Sequence, residues 1–185
     1  MRAAVIYESM FGNTELIARA IGKGIGAEGA EVHLVDVREH EAYELTTYDV
    51  VVVGAPTHAL TLSRPSSRRK AVEDGADPSH VQWGVREWLA TLRPGARLPK
   101  VAVFDTKVRS MRLLPGSAAK AAARLLEQTG HEVVGRPTSF YVTAAKGPLA
   151  DGEEDRAREW GAAIASELAH ERLTEHQARP EQAQG

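Results

Sequence analysis

Two hydrophobic patterns alternate along the chain. Short apolar runs, typical of buried strands, occur at 3–7, 31–36, 50–55 and 100–105, and a broken fifth run covers 132–134 and 139–142. Between them, apolar residues recur every three or four positions, as in amphipathic helices that cover one face of a sheet. This spacing predicts helices at 12–25, 81–92, 116–130 and 151–173, and a short, charged, weakly helical stretch at 38–47.

The alternation predicts an α/β domain on a parallel sheet, because parallel strands need a crossover, usually helical, between them. The run 50–53 consists only of valine, as in a strand covered on both faces, and is predicted to be central. The first helix is predicted to bury one apolar face: Leu16, Ile17, Ala20, Ile21 and Ile25. Ligands of such sheets bind at the carboxyl ends of the strands. The loops after the first, third and fourth strands are therefore the candidate functional loops.

The segment 57–79 departs from the regular pattern. It has no apolar periodicity and contains Pro65 and Pro78, so it is predicted to be an extended loop. It also carries the one dense basic cluster: Arg64, Arg68, Arg69 and Lys70. Such a cluster is typical of a solvated loop. It would also suit an acidic redox partner, or a second phosphate such as that of a nicotinamide nucleotide.

Length and composition fit one globular domain. The chain has 185 residues, 43% of them hydrophobic and 26% charged. Residues 1–173 are predicted to form this domain and 174–185, which contain three glutamines and no large apolar residue, a disordered tail. The tryptophans are predicted to pack in its core: Trp83, Trp88 and Trp160.

Charge and residue usage narrow the function classes. The chain has no cysteine, a net charge of −2 and a pI near 6.4, which favour neither thiolate chemistry nor nucleic-acid binding. No apolar run is long enough to span a membrane, so a cytoplasmic location is predicted. The seven histidines show no metal-ligand spacing, and no nucleophile-elbow or Walker motif occurs. We therefore assign no metal ligand and no catalytic residue.

The loop between the first strand and helix has the chemistry of a phosphate site. It consists of Ser9, Met10, Phe11, Gly12, Asn13 and Thr14. Unpaired backbone amides and the positive end of the helix dipole meet at such a position. Gly12 permits close backbone approach, and three short polar side chains add donors. The alternative is that these side chains only cap the helix.

The sequence Tyr7-Glu8-Ser9-Met10-Phe11-Gly12-Asn13-Thr14-Glu15 resembles the flavin mononucleotide (FMN) phosphate loop of the flavodoxin family. It is most similar to the Ser-Met-aromatic-Gly variant of flavodiiron proteins and flavodoxin-like quinone reductases. The resemblance is strong to about residue 60 and follows by pattern to about 170. It implies a flavodoxin-like three-layer sandwich with a five-stranded parallel sheet in the order 2-1-3-4-5, and FMN as the cofactor.

The same resemblance implies two further cofactor-binding loops. After the third strand, Pro56 and Thr57 would shape one loop, with His58 and Ala59 beside the flavin ring. After the fourth strand, the ring would meet Thr106, Lys107, Val108 and Arg109, with Lys107 or Arg109 near its N1 edge. The chain departs from the family here, because the loop at 105–112 has no aromatic residue to stack on the ring.

Three functions follow from the sequence. The first is an FMN-binding electron carrier that exchanges electrons with a redox partner protein. The second is an NAD(P)H-dependent quinone or small-molecule reductase, which the basic cluster would serve. The third is an interaction module that keeps the fold and binds no flavin, as the absence of aromatic stacking residues would allow.

Overall fold

The structure is a computed structural model that describes residues 1–39, 45–92 and 99–178. Part of the weakly helical stretch at 38–47 and the last residues of the predicted tail lie outside the described residues. In the described part of the chain, no helix is both long and apolar enough to cross a membrane.

Five parallel strands form one sheet. They are β1 (Arg2–Tyr7), β2 (Glu31–Asp36), β3 (Val50–Pro56), β4 (Lys100–Val108) and β5 (Thr138–Val142), in the order β2-β1-β3-β4-β5. The implied strand order is therefore confirmed, with the valine-rich strand at the centre. Val133 pairs with Val101 in an isolated bridge before β5 begins, which explains the broken pattern of the fifth strand.

Helices cover both faces of the sheet and complete three layers. They are α1 (Asn13–Ala27), α2 (Pro65–Glu73), α3 (Val85–Thr91), α4 (Ala118–Gln128) and α5 (Glu153–Ala178). Alternate strand residues point to opposite faces, so that Val50 and Val52 pack toward α1 and α5 while Val51 and Val53 pack toward α3 and α4. The carboxyl ends of all five strands meet at one edge, where the candidate loops lie.

The structure corrects several predicted elements. The segment 57–79 is not an extended loop, because it contains α2 and a 3-10 turn at Pro78–His80. Pro65 occupies the first turn of α2, a helix-start signal that the lack of apolar periodicity hid. Leu16 is 44% exposed and does not belong to the buried face of α1. Helix α5 continues past residue 173 to Ala178, into the segment predicted to be a disordered tail.

The three tryptophans pack in the core as predicted. Trp88 is buried and Trp83 packs against the same cluster between the sheet and α3. Trp160 lies on the opposite face, edge-on to the rings of Phe104 and Phe140 at centroid distances of 6.3 and 6.0 Å. None of the three lines the cavity at the carboxyl edge of the sheet.

Helices α1 and α5 touch backbone to backbone. A Cβ atom at Gly24 would lie 2.0 Å from the carbonyl oxygen of Arg158, and one at Gly161 would lie 2.4 Å from the carbonyl oxygen of Ile21. Any side chain at either position would push the two helices apart. The close approach buries Ile17 and Ala157 completely.

Two glycines of α1 should respond in opposite directions to alanine. We expect Gly24→Ala to lower the free energy of unfolding by about 1–3 kcal/mol through overpacking. Gly26 is exposed, and a Cβ there would meet only a Val32 methyl at 3.9 Å, so Gly26→Ala should raise stability by up to about 1 kcal/mol through helix propensity. Urea denaturation followed by circular dichroism measures both. Equal effects would show that the helices do not meet at Gly24.

Candidate functional site

A cavity of about 320 Å³ opens at the carboxyl edge of the sheet, between the loops that follow β1, β3, β4 and β5. Most of the predicted site residues line it: Met10, Phe11, Asn13, Thr14, Pro56, Thr57, His58, Ala59, Thr106 and Val108. The predicted residues Ser9, Gly12, Lys107 and Arg109 do not. The volume lies within the range of small-molecule sites.

The loop 9–14 presents backbone donors at the start of α1. Gly12 has φ +83°, a left-handed conformation that favours glycine, and it provides no side-chain cap for the helix. Within the described residues, no oxygen accepts from the amides of Gly12, Asn13 and Thr14. The hydroxyl of Ser9 accepts from the Glu15 amide at 3.2 Å, so the capping alternative describes Ser9 alone.

Asn13 and Thr14 tie the first loop to its neighbours. The Asn13 side-chain amide donates to the carbonyl of Lys146 in the loop after β5, at 3.1 Å. Gly147 makes room for it, since a Cβ there would lie 2.5 Å from the Asn13 side-chain oxygen. The buried hydroxyl of Thr14 pairs with that of Thr106 at 2.7 Å. The loops after β1, β4 and β5 are thereby held in one arrangement.

Glu8, fully buried at the end of β1, anchors the floor of this edge. Its carboxylate accepts from the Ser63 hydroxyl at 2.5 Å and from the Val85 amide at 2.8 Å. The Arg68 guanidinium donates to Ser63 at 2.8 Å and pairs with Glu87 at 2.9 Å. Burial raises the pKa of Glu8, while the two hydrogen bonds oppose the rise. The network joins β1, the segment after β3, α2 and the start of α3.

The basic cluster is therefore not a uniformly solvated loop. Arg68 is completely buried in this network. Lys70 is exposed, lines the cavity and pairs with Glu73 and Asp74 along α2 at 3.4 and 3.7 Å. The sequence places four cations together, but the helix directs them to different surroundings, because successive helical residues point about 100° apart.

A tight turn forms the wall after β3. His58 and Thr61 exchange two backbone hydrogen bonds of 2.9 and 3.0 Å, which holds Ala59 and Leu60 at φ +47° and +64°. Non-glycine residues adopt such angles at a cost, and the surrounding contacts compensate for it. Gly116 packs against Leu60, where a Cβ would lie 2.6 Å from the Leu60 carbonyl oxygen. Burial, and secondarily the nearby Arg68, lower the pKa of His58, which favours the neutral imidazole.

The residues predicted beside the ring after β4 divide into two groups. Thr106 and Val108 end β4 and line the cavity, because the strand is three residues longer than predicted. Lys107 is buried and its ammonium group donates to the carbonyls of Leu114 and Gly116 at 2.7 and 2.9 Å. Arg109 lines a neighbouring cleft instead. Neither cation lies in the cavity wall, contrary to their predicted place near the ring.

Several cavity residues were not predicted from the sequence: Ser67, Lys70, Ala71, Asp74, Met111, Val142 and Ala145. The first four belong to α2 and its end, which carried no helical signal in its apolar residues. Met10, Ala71 and Ala76 form a small buried cluster with Phe11 and Val72, so that α2 closes the cavity beside the first loop. Phe11 and His58 contribute rings to the wall, which offsets the missing aromatic residues of the β4 loop.

A second buried carboxylate lies below the cavity. Asp105 accepts from the Ala119 amide at 2.8 Å and so caps α4 from the adjacent strand. Burial raises the pKa of Asp105, opposed by hydrogen bonds and by the charge of Lys107.

Comparison with known proteins shows a likeness to flavodoxins in one segment of the chain and in its fold. The flavodoxin family model matches residues 5–61, from the second half of β1 through the first loop to the turn after β3. This segment is therefore similar to flavodoxins. A flavodoxin from the domain Archaea is 21% identical, with a TM-score of 0.63 over 92% of this chain and 100% of that one. Flavodoxin 2 from Bacillus cereus is 24% identical, with a TM-score of 0.61 over 92% and 99%.

A larger protein shares the fold as well. The Flv1 flavodiiron core from Synechocystis sp. PCC6803 is 19% identical, with a TM-score of 0.61 over 92% of this chain and 36% of that one. At these identities the likeness concerns the fold, and the flavodoxin fold accordingly extends beyond the segment that the family model matches.

The raised pKa of Asp105 predicts how stability depends on pH. Between the pKa of an unfolded aspartate, about 3.9, and the raised folded value, the folded state holds more protons, so rising pH destabilises it. We expect Asp105→Asn to remove this contribution. Its stability relative to the unsubstituted chain should therefore increase as pH rises from about 4, by at most about 1.4 kcal/mol per pH unit. Urea denaturation at several pH values measures this. Asp151→Asn, at an exposed position, is the control, and a pH-independent difference for Asp105→Asn would contradict the prediction.

Proposed function

We propose that this chain is a member of the flavodoxin family that binds FMN non-covalently at the carboxyl edge of its sheet and acts as a cytoplasmic electron carrier. One observation carries the proposal: the amides of Gly12, Asn13 and Thr14 have no partner in the described part of the chain and begin a helix beside a cavity of about 320 Å³. The arrangement suits an anion with an organic group attached.

The first loop fits a phosphate without a cationic side chain. Backbone amides and the helix dipole supply the positive potential, as in other helix N-terminal anion sites. Thr14 and Asn13 are fixed by Thr106 and by the Lys146 carbonyl, so that they need little reordering when a ligand binds. Fixed neutral donors favour a phosphomonoester held in one pose.

The rest of the cavity fits a flat, largely apolar ring. Its wall includes the rings of Phe11 and His58 and the apolar side chains of Val108 and Met111. When bound, FMN would supply the redox chemistry. The chain would orient it, exclude water from the face toward the wall and, through the neutral His58, avoid placing a full charge there.

The surroundings of the cations in the basic cluster favour an electron carrier over an NAD(P)H-dependent reductase. Arg68 is buried and Lys70 is paired with acidic neighbours, so among the described residues only Arg64 and Arg69 of the cluster stay exposed without an ion pair that the phosphate of a nicotinamide nucleotide could replace. The cavity with its ring-bearing wall favours a cofactor-binding protein over a flavin-free interaction module.

Titration with FMN tests the cofactor assignment. We expect the purified chain to quench FMN fluorescence on binding, and Thr14→Val to weaken the affinity about tenfold, because it removes the hydroxyl that pairs with Thr106 at the site. Thr91→Val is the matched control, since Thr91 also makes one 2.7 Å hydroxyl hydrogen bond but on α3. Failure of the unsubstituted chain to bind FMN would refute the assignment.

Activity assays of the same FMN-loaded protein distinguish an electron carrier from a reductase. Carrier function requires that the FMN-loaded chain, once reduced, pass electrons to a protein acceptor. Consumption of NADPH that depends on an added quinone, with no other protein present, would support the reductase instead.

A further inference from the structure

Large apolar side chains are exposed beside the proposed FMN cavity. Of the six exposed large hydrophobic residues in the described part of the chain, three fall within four positions of each other after β4. Leu113 is 85% exposed, and Met111 and Leu114 are 41% and 44% exposed. Every residue of 109–115 is exposed. A clustered apolar surface of this kind typically marks an interaction site.

The backbone of 109–115 is firmly held although its side chains are exposed. The buried ammonium group of Lys107 donates to the carbonyls of Leu114 and Gly116. Lys120 donates to the Pro115 carbonyl at 2.9 Å, and the amide of Arg112 donates to the carbonyl of Arg109 at 3.2 Å. Two lysines thus fix the path of a segment that buries none of its own side chains. A fixed display loses little conformational entropy on binding.

The charge of 109–115 is positive although the whole chain carries a net charge of −2. The segment contains Arg109 and Arg112 and no acidic residue, and among the described residues neither guanidinium makes an ion pair. Lys146, on the neighbouring loop, adds a third cation, 6.0 Å from the centroid of the Phe11 ring. Asp151 lies in the cleft next to the arginines, while Glu153 there is paired with Arg156.

The segment also adjoins the cavity. Met111 lines the cavity wall together with Val108, the last residue of β4. A protein docked on Leu113 and Leu114 would therefore lie beside the cavity opening. There, electrons could pass between that protein and a cofactor bound in the cavity.

We propose that 109–115 is the docking surface for a redox partner protein whose face carries carboxylates around an apolar centre. The inference rests on the proposed function, since it names the partner that the carrier would meet. The two arginines would be complemented by carboxylates on the partner, and the leucines and methionine would pack against apolar side chains of the partner. A second copy of this chain is disfavoured, because a two-fold interface would set the arginines of one copy against those of the other.

The electron balance of the exchange is simple. Bound FMN, once reduced, would supply two electrons, one to each of two ferric haems, and would release its protons to water. Dithionite supplies the electrons in the test. The chain contributes only the surface that brings the two groups close.

Binding to two haem proteins of opposite charge tests the surface directly. The probes are cytochrome b5, with an acidic docking face, and cytochrome c, with a basic one. Biolayer interferometry at low and high salt gives the affinity of the FMN-loaded and the FMN-free chain for each probe, and stopped-flow absorbance gives the rate of haem reduction by the reduced, loaded chain. We expect tighter binding to cytochrome b5 than to cytochrome c, weakened by salt and present in both forms of the chain.

Substitutions distinguish the contribution of the two arginines to binding from that of the exposed leucine. Arg109→Glu with Arg112→Glu should lower both the affinity for cytochrome b5 and the reduction rate at low salt at least about tenfold. Lys23→Glu with Arg124→Glu makes the same change in net charge on exposed positions of α1 and α4 and should have little effect. Leu113→Ser should weaken binding at all salt concentrations, whereas Leu173→Ser, at an exposed leucine of α5, should not.

The outcomes distinguish the two proposals. Preferred binding of cytochrome c, or binding of cytochrome b5 that ignores the substitutions at Arg109 and Arg112, overturns the docking surface even if FMN binds normally. Self-association abolished by Leu113→Ser, or binding to phosphatidylserine vesicles without binding to cytochrome b5, overturns it in favour of a second copy or a membrane. Failure of the chain to bind FMN overturns the proposed electron-carrier function, and with it the proposal of a redox partner.

Discussion

The buried carboxylate of Glu8 is the constraint on which the cavity depends. It ends β1 where the first loop begins, and it accepts hydrogen bonds from Ser63 and from the start of α3. Arg68 completes the network and is itself fully buried. A carboxylate taken out of water is costly unless such partners satisfy it. Formation of the network therefore fixes α2 and α3 relative to β1, and with them one side of the cavity.

A second set of contacts fixes the opposite side. Thr14 pairs with Thr106, and Asn13 reaches the loop after β5 where Gly147 leaves room. Both side chains have a role that the motif alone does not reveal, because they join the first loop to other loops. The phosphate end of the proposed FMN site is thus organised before any ligand binds, mainly by neutral groups.

Positive charge is distributed around the cavity in an unexpected way. The fold divides the densest basic stretch in the sequence, on α2: Arg68 is buried in a network and Lys70 pairs with acidic neighbours, while Arg64 and Arg69 stay exposed. Two further exposed arginines, Arg109 and Arg112, lie on the segment after β4, next to exposed leucines. Lys107, expected near the ring, holds the backbone of that segment. Linear charge density is a poor guide here, since the partner of each cation is set by the fold.

The first loop is the part of the candidate site that the sequence predicted best. Its position between an apolar strand and an amphipathic helix, together with Gly12, predicted the fold, which the structure confirms, and an anion site, which is part of the proposed function; both predictions depend on local backbone geometry. The residues that line the rest of the cavity were harder to predict from the sequence. Helix α2 buries only Arg68 and Ala71, so its hydrophobic pattern carries no signal, although Pro65 marks its start.

By itself, the sequence determined the alternation of strands and helices, the central strand 50–53 and the loop 9–14, since hydrophobic periodicity and glycine geometry are properties of neighbouring residues. Only the tertiary structure decided that Glu8 and Arg68 share a buried network, that α2 closes the cavity, and that Lys107 supports the segment carrying Arg109 and Arg112. These pairings join residues distant in sequence or depend on how the chain is oriented around them. They form because burial leaves each charge and each backbone amide only the partners that the packed chain brings within reach.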